Sequence, residues 1–249
     1  MSALGAINIV GLFSLSIKNS PFRLIKRILQ FIFYKVKFGS ACNFKGSIDD
    51  FDKALKLRPA DPAKIYIHRG IAKGKLENYR EAIQDFDKAI ALKPGNADAW
   101  FLSGVARQQT GQTLEALASL DRACHLVPDS WDYFNHRGFV HYQLGRYEEC
   151  RADYEHGLVL QPDHPETLAN LARLHMVMKR PELAEPLFER ALVHDPDNAS
   201  LHGDLGVCRV ARTHLREGVA CYRAGLALDP DDAEIHYNLS RALLMLGEY

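Results

Sequence analysis

The chain has 249 residues, with 31 Lys plus Arg against 31 Asp plus Glu, and so no formal net charge. That balance argues against a dedicated nucleic-acid binder, whose surface is as a rule basic. Five cysteines form an odd set with no CxxC pair, which fits neither a disulfide framework nor a zinc site and points to reduced thiols in a cytoplasmic setting.

The charge is unevenly spread. Up to Ile48 there are seven basic residues (Lys18, Arg23, Lys26, Arg27, Lys35, Lys37, Lys45) and no acid, so the remainder is net acidic. Residues 3–17, "ALGAINIVGLFSLSI", are uncharged but shorter than the roughly 18 to 20 residues needed to span a bilayer. They also lack the basic leader and small-residue cleavage site of a secretory signal. Residues 1–27 read as a basic apolar leader. The stretch 21–37, "PFRLIKRILQFIFYKVK", has two readings. One is a basic amphipathic helix making peripheral contact with an anionic membrane surface, which gives membrane association through the N-terminus as the alternative to a cytoplasmic location. The other is the first helix of a degenerate repeat at 28–61.

From there the chain repeats itself. "NFKGSIDDFDKALKLRP" (43–59) returns as "NYREAIQDFDKAIALKP" (78–94), and proline then recurs every 34 residues at Pro94, Pro128, Pro162, Pro196 and Pro230. Aligned on those prolines, five units run 63–96, 97–130, 131–164, 165–198 and 199–232, followed by a half repeat or capping helix at 233–249. In each unit a small residue stands eighth (Gly70, Gly104, Gly138, Ala172, Gly206). A second small residue stands twentieth, and a bulky one twenty-fourth (Phe86, Leu120, Tyr154, Phe188, Tyr222). The spacing predicts two helices per unit, the small positions allowing close approach and the bulky ones filling the space left. Asp61, Asn96, Ser130, Asn198 and Asp232 stand where a side-chain N-cap is expected, and His164, the exception, is followed by the first-turn Pro165. No run alternates in the strand manner, so the fold is expected to be all-α.

In these five in-phase units, as in "ADAWFLSGVARQQTGQTLEALASLDRACHLVPDS" (97–130), the chain resembles the tetratricopeptide-repeat family. The resemblance implies a solenoid, a right-handed superhelix of antiparallel helix pairs whose first helices line a concave groove. It also implies a noncatalytic scaffold that binds a peptide or helix of a partner protein there. Places 2, 5, 9 and 12 to 13 of each unit would face that groove. The peptide-binding candidates carried over in this way are Ile67, Ile71, Asp98, Phe101, Val105, Asn135, Phe139, Tyr142, Arg173 and Met176. Gln108, Asp132, Glu166, Val177, Val207, Tyr237, Leu244 and Met245 occupy further such places. The family's carboxylate clamp needs Lys at place 5 and Asn at place 9, where this chain has Ile67 and Ile71, or Phe101 and Val105, so that mode of binding is not expected. A ladder of groove asparagines is only hinted at by Asn135, Asn170 and Asn238.

Catalytic chemistry is not visible. There is no phosphate-cradling glycine loop, HExxH or GxSxG, and no cofactor is expected. His136 and His141 are five apart and do not share a helix face as metal ligands would, so no metal site is expected either. The alternative reading is a substrate-recruiting arm of a longer enzyme, such as a glycosyltransferase or sulfotransferase, whose catalytic domain lies outside this chain. A nucleic-acid solenoid is disfavoured because the repeats are net acidic and their groove has no basic track.

Overall fold

The protein is described by a computed structural model over residues 44–247. The leader, the first helix of the 28–61 unit and Cys42 lie outside the described residues, as do Glu248 and Tyr249.

Twelve α-helices, and no strand among the described residues, follow in order. They are α1 (Phe44–Lys56), α2 (Pro62–Lys75), α3 (Tyr79–Leu92), α4 (Ala97–Gln109), α5 (Thr113–Leu126) and α6 (Trp131–Gln143). After these come α7 (Tyr147–Leu160), α8 (Pro165–Val177), α9 (Pro181–His194), α10 (Ala199–Ala211), α11 (Leu215–Leu228) and α12 (Ala233–Leu246). Each even-numbered helix from α2 to α10 packs against the odd-numbered helix that follows it, and each pair stacks on the next. The even helices also touch one another in series, α2 with α4 through to α10 with α12, which puts them on the inside of the curve.

Close crossing within a pair rests on the eighth residue. A Cβ placed on Gly70 would stand 2.6 Å from the Phe86 ring, one on Gly104 2.8 Å from Leu120 and one on Gly138 2.8 Å from Tyr154. Backbone therefore touches the bulky twenty-fourth side chain directly, and Phe86, Leu120, Tyr154, Phe188 and Tyr222 are all buried. Burying such side chains stabilises by roughly 1.5–3 kcal/mol each, and no single pair could do this without its neighbours.

Caps follow the sequence with two exchanges. The side chains of Asp61, Asn96, Asn198 and Asp232 accept from the amide three residues on. Ser130 makes no such bond. His164 does, its Nδ1 accepting from the Thr167 amide at 3.3 Å while its ring lies 3.8 Å from that of Trp131. Inside each pair the chain turns through a left-handed residue fifteen places into the unit: Glu77, Gly111, Gly145, Lys179 and Thr213. The following amide closes the turn on the preceding helix, as Gln112 N–H does on the Arg107 carbonyl at 3.0 Å.

A ladder of ion pairs binds successive pairs from outside the groove. Arg69 of α2 donates from Nε to Asp85 of α3 at 2.8 Å and from Nη1 to Asp52 of α1. Arg107 of α4 reaches Asp87 of α3 at 2.9 Å. Arg137 of α6 joins Asp153 of α7 (2.6 Å) to Asp121 of α5 (3.0 Å), and Arg209 of α10 joins Glu185 and Glu189 of α9 at 3.0 and 2.7 Å. Between α7 and α8 the rung is missing. Leu171 and His175 stand where the other units carry cations, and Glu155 of α7 turns instead to Arg151 of its own helix at 3.7 Å.

Candidate functional site

The inner face is built from the even helices, because the small eighth residues hold their opposite face against the odd ones. In the central units places 2, 5, 6, 9, 12 and 13 supply the side chains that face the concavity. Between α4, α6 and α8 they enclose a cavity of about 270 Å³, open to solvent and lined by Gln108, Gln109, Asn135, His136, Phe139, Glu166 and Asn170.

Its chemistry is mixed. Asn170 donates from Nδ2 to Asn135 Oδ1 at 3.4 Å and accepts from Arg173 at 3.3 Å, and Arg173 is ion-paired to Asp204 at 2.7 Å. This amide-to-cation string runs from α6 through α8 to α10. Phe139 stands at the edge of the cavity, exposed, with its ring stacked on Tyr142 at a centroid distance of 6.3 Å. His136 lies 3.7 Å from the Asp132 carboxylate, and burial pushes its pKa down to about 4. Glu166 makes no ion pair within 4 Å among the described residues. Desolvation in the groove raises its pKa, with Asp132 adding to the effect and His136 and Arg173 opposing it, although the residue as a whole stays exposed.

Of the ten peptide-binding candidates, two, Asn135 and Phe139, line the cavity. Phe101 is a correction. It is 1% exposed, stacked on Tyr133 at 4.7 Å and met edge-on by His136 at 5.0 Å, so it supports the floor from beneath. Ile67 and Ile71 are likewise in the core, closed to a ligand. The reason is common to all three: α2 and α4 each have a neighbouring inner helix laid over places 5 and 9, and large residues such as Tyr133 cover them. Asp98 is half-buried and already accepts from the Tyr133 hydroxyl at 2.6 Å. Val105, Tyr142 and Met176 are half-buried against core clusters, and Arg173 is held by Asp204.

Place 6, which supplies His136 and Asn170, was not among the places expected to face the groove. Its signal was Asn170 and Asn238, which both stand at place 6. Val177, Val207, Tyr237, Leu244 and Met245, at further such places, are exposed.

Burial favours the protonated, less nucleophilic form of the described thiols. Cys124 and Cys150 are each pushed up to about 12 by burial and Cys208 to about 11. No group of three or more His, Cys, Asp or Glu is placed to hold a metal among the described residues. No described helix is long and apolar enough to cross a membrane.

Sequence profiles of the tetratricopeptide repeat match residues 68–130 and 169–212, 131–164, and 221–249. The chain belongs to the tetratricopeptide-repeat family. Among curated proteins, none matches its sequence. Among solved structures, PilW, a type IV pilus biogenesis factor, superposes with a TM-score of 0.70 at 19% identity, over 76% of this chain and 88% of that one. A chain of the APC/C hetero-tetramer Cut9–Hcn1 gives 0.68 at 19% identity over 81% of this chain, which spans 40% of that longer chain. YrrB, described as having an unusual peptide-binding site, gives 0.61 at 18% identity, over 75% of this chain and 96% of that one. At these identities the likeness establishes the tetratricopeptide-repeat solenoid, and membership of the family makes the protein an interaction scaffold in the general sense.

Proposed function

We propose that the protein is a noncatalytic scaffold whose concave groove holds a peptide segment of a partner protein, centred on the cavity between α4, α6 and α8. The observation that carries this is Phe139, an aromatic residue 39% exposed on the inner face beside a cavity lined with amides. An exposed aromatic next to hydrogen-bonding groups is how an anchor pocket is made: the ring offers apolar area, and the amides satisfy a peptide backbone. Val207, at the same place two units on and 38% exposed, continues the apolar track. YrrB, of the same fold, is described as binding peptide, which agrees with this reading.

The test is partner capture by the immobilised full chain, with the bound proteins identified by mass spectrometry. Wild type is compared with a variant carrying Phe139→Ser and Val207→Ser. Both residues are exposed, so the melting temperature should move by no more than about 3 °C. A specific partner retained by wild type and lost by the variant is the expected result. A partner held equally by both would place binding elsewhere on the array.

A further inference from the structure

The hydrogen bonds beside the cavity have a direction, and it is set from outside the cavity. A guanidinium has N–H donors and no acceptor. Asp204 fixes that of Arg173, accepting from Nε at 2.8 Å and from Nη2 at 2.7 Å. Its Nη1, 3.3 Å from Asn170, can therefore meet only the carboxamide oxygen. That turns the Asn170 NH2 toward α6, where it donates to Asn135 Oδ1 at 3.4 Å. Asn135 is left with its oxygen engaged and its NH2 free. It is 4% exposed and lines the cavity, and its Nδ2 has no hydrogen-bond partner among the described residues. The string from Asp204 through Arg173 and Asn170 thus ends in a nearly buried donor at the cavity wall.

Resting on the groove reading above, we infer that the cavity selects a Gln side chain of the bound peptide, its carboxamide oxygen accepting from Asn135 Nδ2. The Gln NH2 needs an acceptor in the same cavity, and Glu166, exposed on α8, supplies one. Phe139 offers its ring to the methylenes of the Gln stem, and about 270 Å³ is room enough for that side chain. Arg173 and Asp204 are positioning residues: they act through Asn170, holding the string in the polarity that leaves the Asn135 N–H free. A cationic side chain has no acceptor for Asn135. A carboxylate would face Glu166, like charge against like. An apolar side chain would cover the Asn135 N–H without satisfying it, which is worse than leaving it to water. A main-chain carbonyl could also accept from Asn135, but every peptide has one, so it would create no preference for the residue in the cavity.

The experiment uses the full chain and three fluorescein-labelled nonapeptide pools with capped ends. The central position is fixed as Gln, Glu or Met, Met matching Gln in length without its hydrogen bonds. The remaining positions are drawn from Ala, Leu, Ser and Gly, and binding is read by fluorescence polarisation. The Gln pool should bind about fivefold or more tightly than the Met and Glu pools, and N135L should bring Gln and Met within about twofold of each other. R173M lets the Asn170 carboxamide turn round and should remove most of the preference, while R173K, still a donor alone, should keep it. The Arg173 side chain is 42% exposed, so R173M answers the question even where N135L does not fold. The inference is overturned if no pool binds, if the Met pool matches the Gln pool, or if the Gln preference survives either N135L or R173M. F139S/V207S separates the two levels. If that variant weakens every pool alike while the central residue does not matter, the groove reading stands and the Gln pocket does not. If binding ignores both that variant and the central residue, the groove reading falls as well.

Discussion

A Cβ on Gly206 would stand 2.5 Å from the Tyr222 ring, a tighter approach than the 2.6 Å at Gly70 or the 2.8 Å at Gly104 and Gly138. α10 and α11 cross with bare backbone against an aromatic face, and Tyr222 is 2% exposed beneath it. The same contact of bare backbone with the bulky twenty-fourth side chain recurs at Gly70, Gly104 and Gly138.

Gly206→Ala should therefore destabilise by about 1–3 kcal/mol, because the added methyl forces the ring or the helix aside in a closed core. Gly74 in α2 gives the opposite sign: nothing lies within 4 Å of its would-be Cβ, and Gly74→Ala should stabilise by roughly 0.5–1 kcal/mol through helix propensity. Urea unfolding of both variants decides it. Equal effects at the two positions would mean that helix propensity, and not the Tyr222 contact, sets the cost at Gly206.

Thr213 sits at φ 67° in the turn between α10 and α11, where Gly111 and Gly145 occupy the corresponding turns. A β-branched side chain in the left-handed region carries a cost of about 1–2 kcal/mol, of which the added flexibility of glycine in the unfolded chain takes back part. Thr213→Gly should raise the urea midpoint with an unchanged slope, a net gain of up to about 1 kcal/mol. Gly145→Ala should lower the midpoint by a similar amount. A drop for Thr213→Gly would show that its side chain makes a contact worth more than the strain.

Asp85 carries the ion-pair ladder inward. Its side chain is 1% exposed between Arg69 and Lys73. Burial opposes its ionisation, but the two cations outweigh this and hold its pKa below the usual carboxylate range. Asp85→Asn leaves both cations under-compensated and should cost about 3 kcal/mol or more. Asp121→Asn removes a carboxylate that is 53% exposed and should cost no more than about 1 kcal/mol. Thermal melts in low and high salt compare the two. Equal losses would mean that the buried rung contributes no more than the exposed one.

The fold was legible because its rules are periodic. Proline at every thirty-fourth place, small residues facing bulky ones and an N-cap before each inner helix all describe one helix pair, and the coordinates repeat that pair. Ser130 and His164 exchange roles for a local reason: the imidazole, held against Trp131, presents Nδ1 to the helix start, which residue type alone does not indicate. The groove was legible only in part. Places were assigned by family geometry, but whether a side chain is reachable depends on its neighbour's size, and Tyr133 covers Phe101 where nothing covers Phe139. The ladder went unread because Asp52, Asp87 and Asp121 look like ordinary solvated charges until helix stacking brings Arg69, Arg107 and Arg137 opposite them. The left-handed turn was concealed by Glu77, Lys179 and Thr213, which do not signal it as glycine does.

Acid should weaken the array through its buried imidazoles. Burial holds His136 at about 4, with Glu166 opposing, and lowers His68, His141 and His175 as well. In the unfolded chain these groups titrate near 6.5. A histidine whose folded pKa is depressed binds fewer protons in the native state, so its contribution is fully present above about pH 6.5 and is lost as pH falls toward 4. For His136 alone the loss by pH 5 is on the order of 2 kcal/mol. Glu166 and Asp204, raised by burial, work the other way, but they are two groups against four histidines. The melting temperature should therefore fall between pH 7 and pH 5, and His136→Gln should flatten that slope while leaving a smaller one from the remaining histidines. A variant with the full wild-type slope would show that His136 is protonated without penalty, its Asp132 neighbour at 3.7 Å having repaid the desolvation.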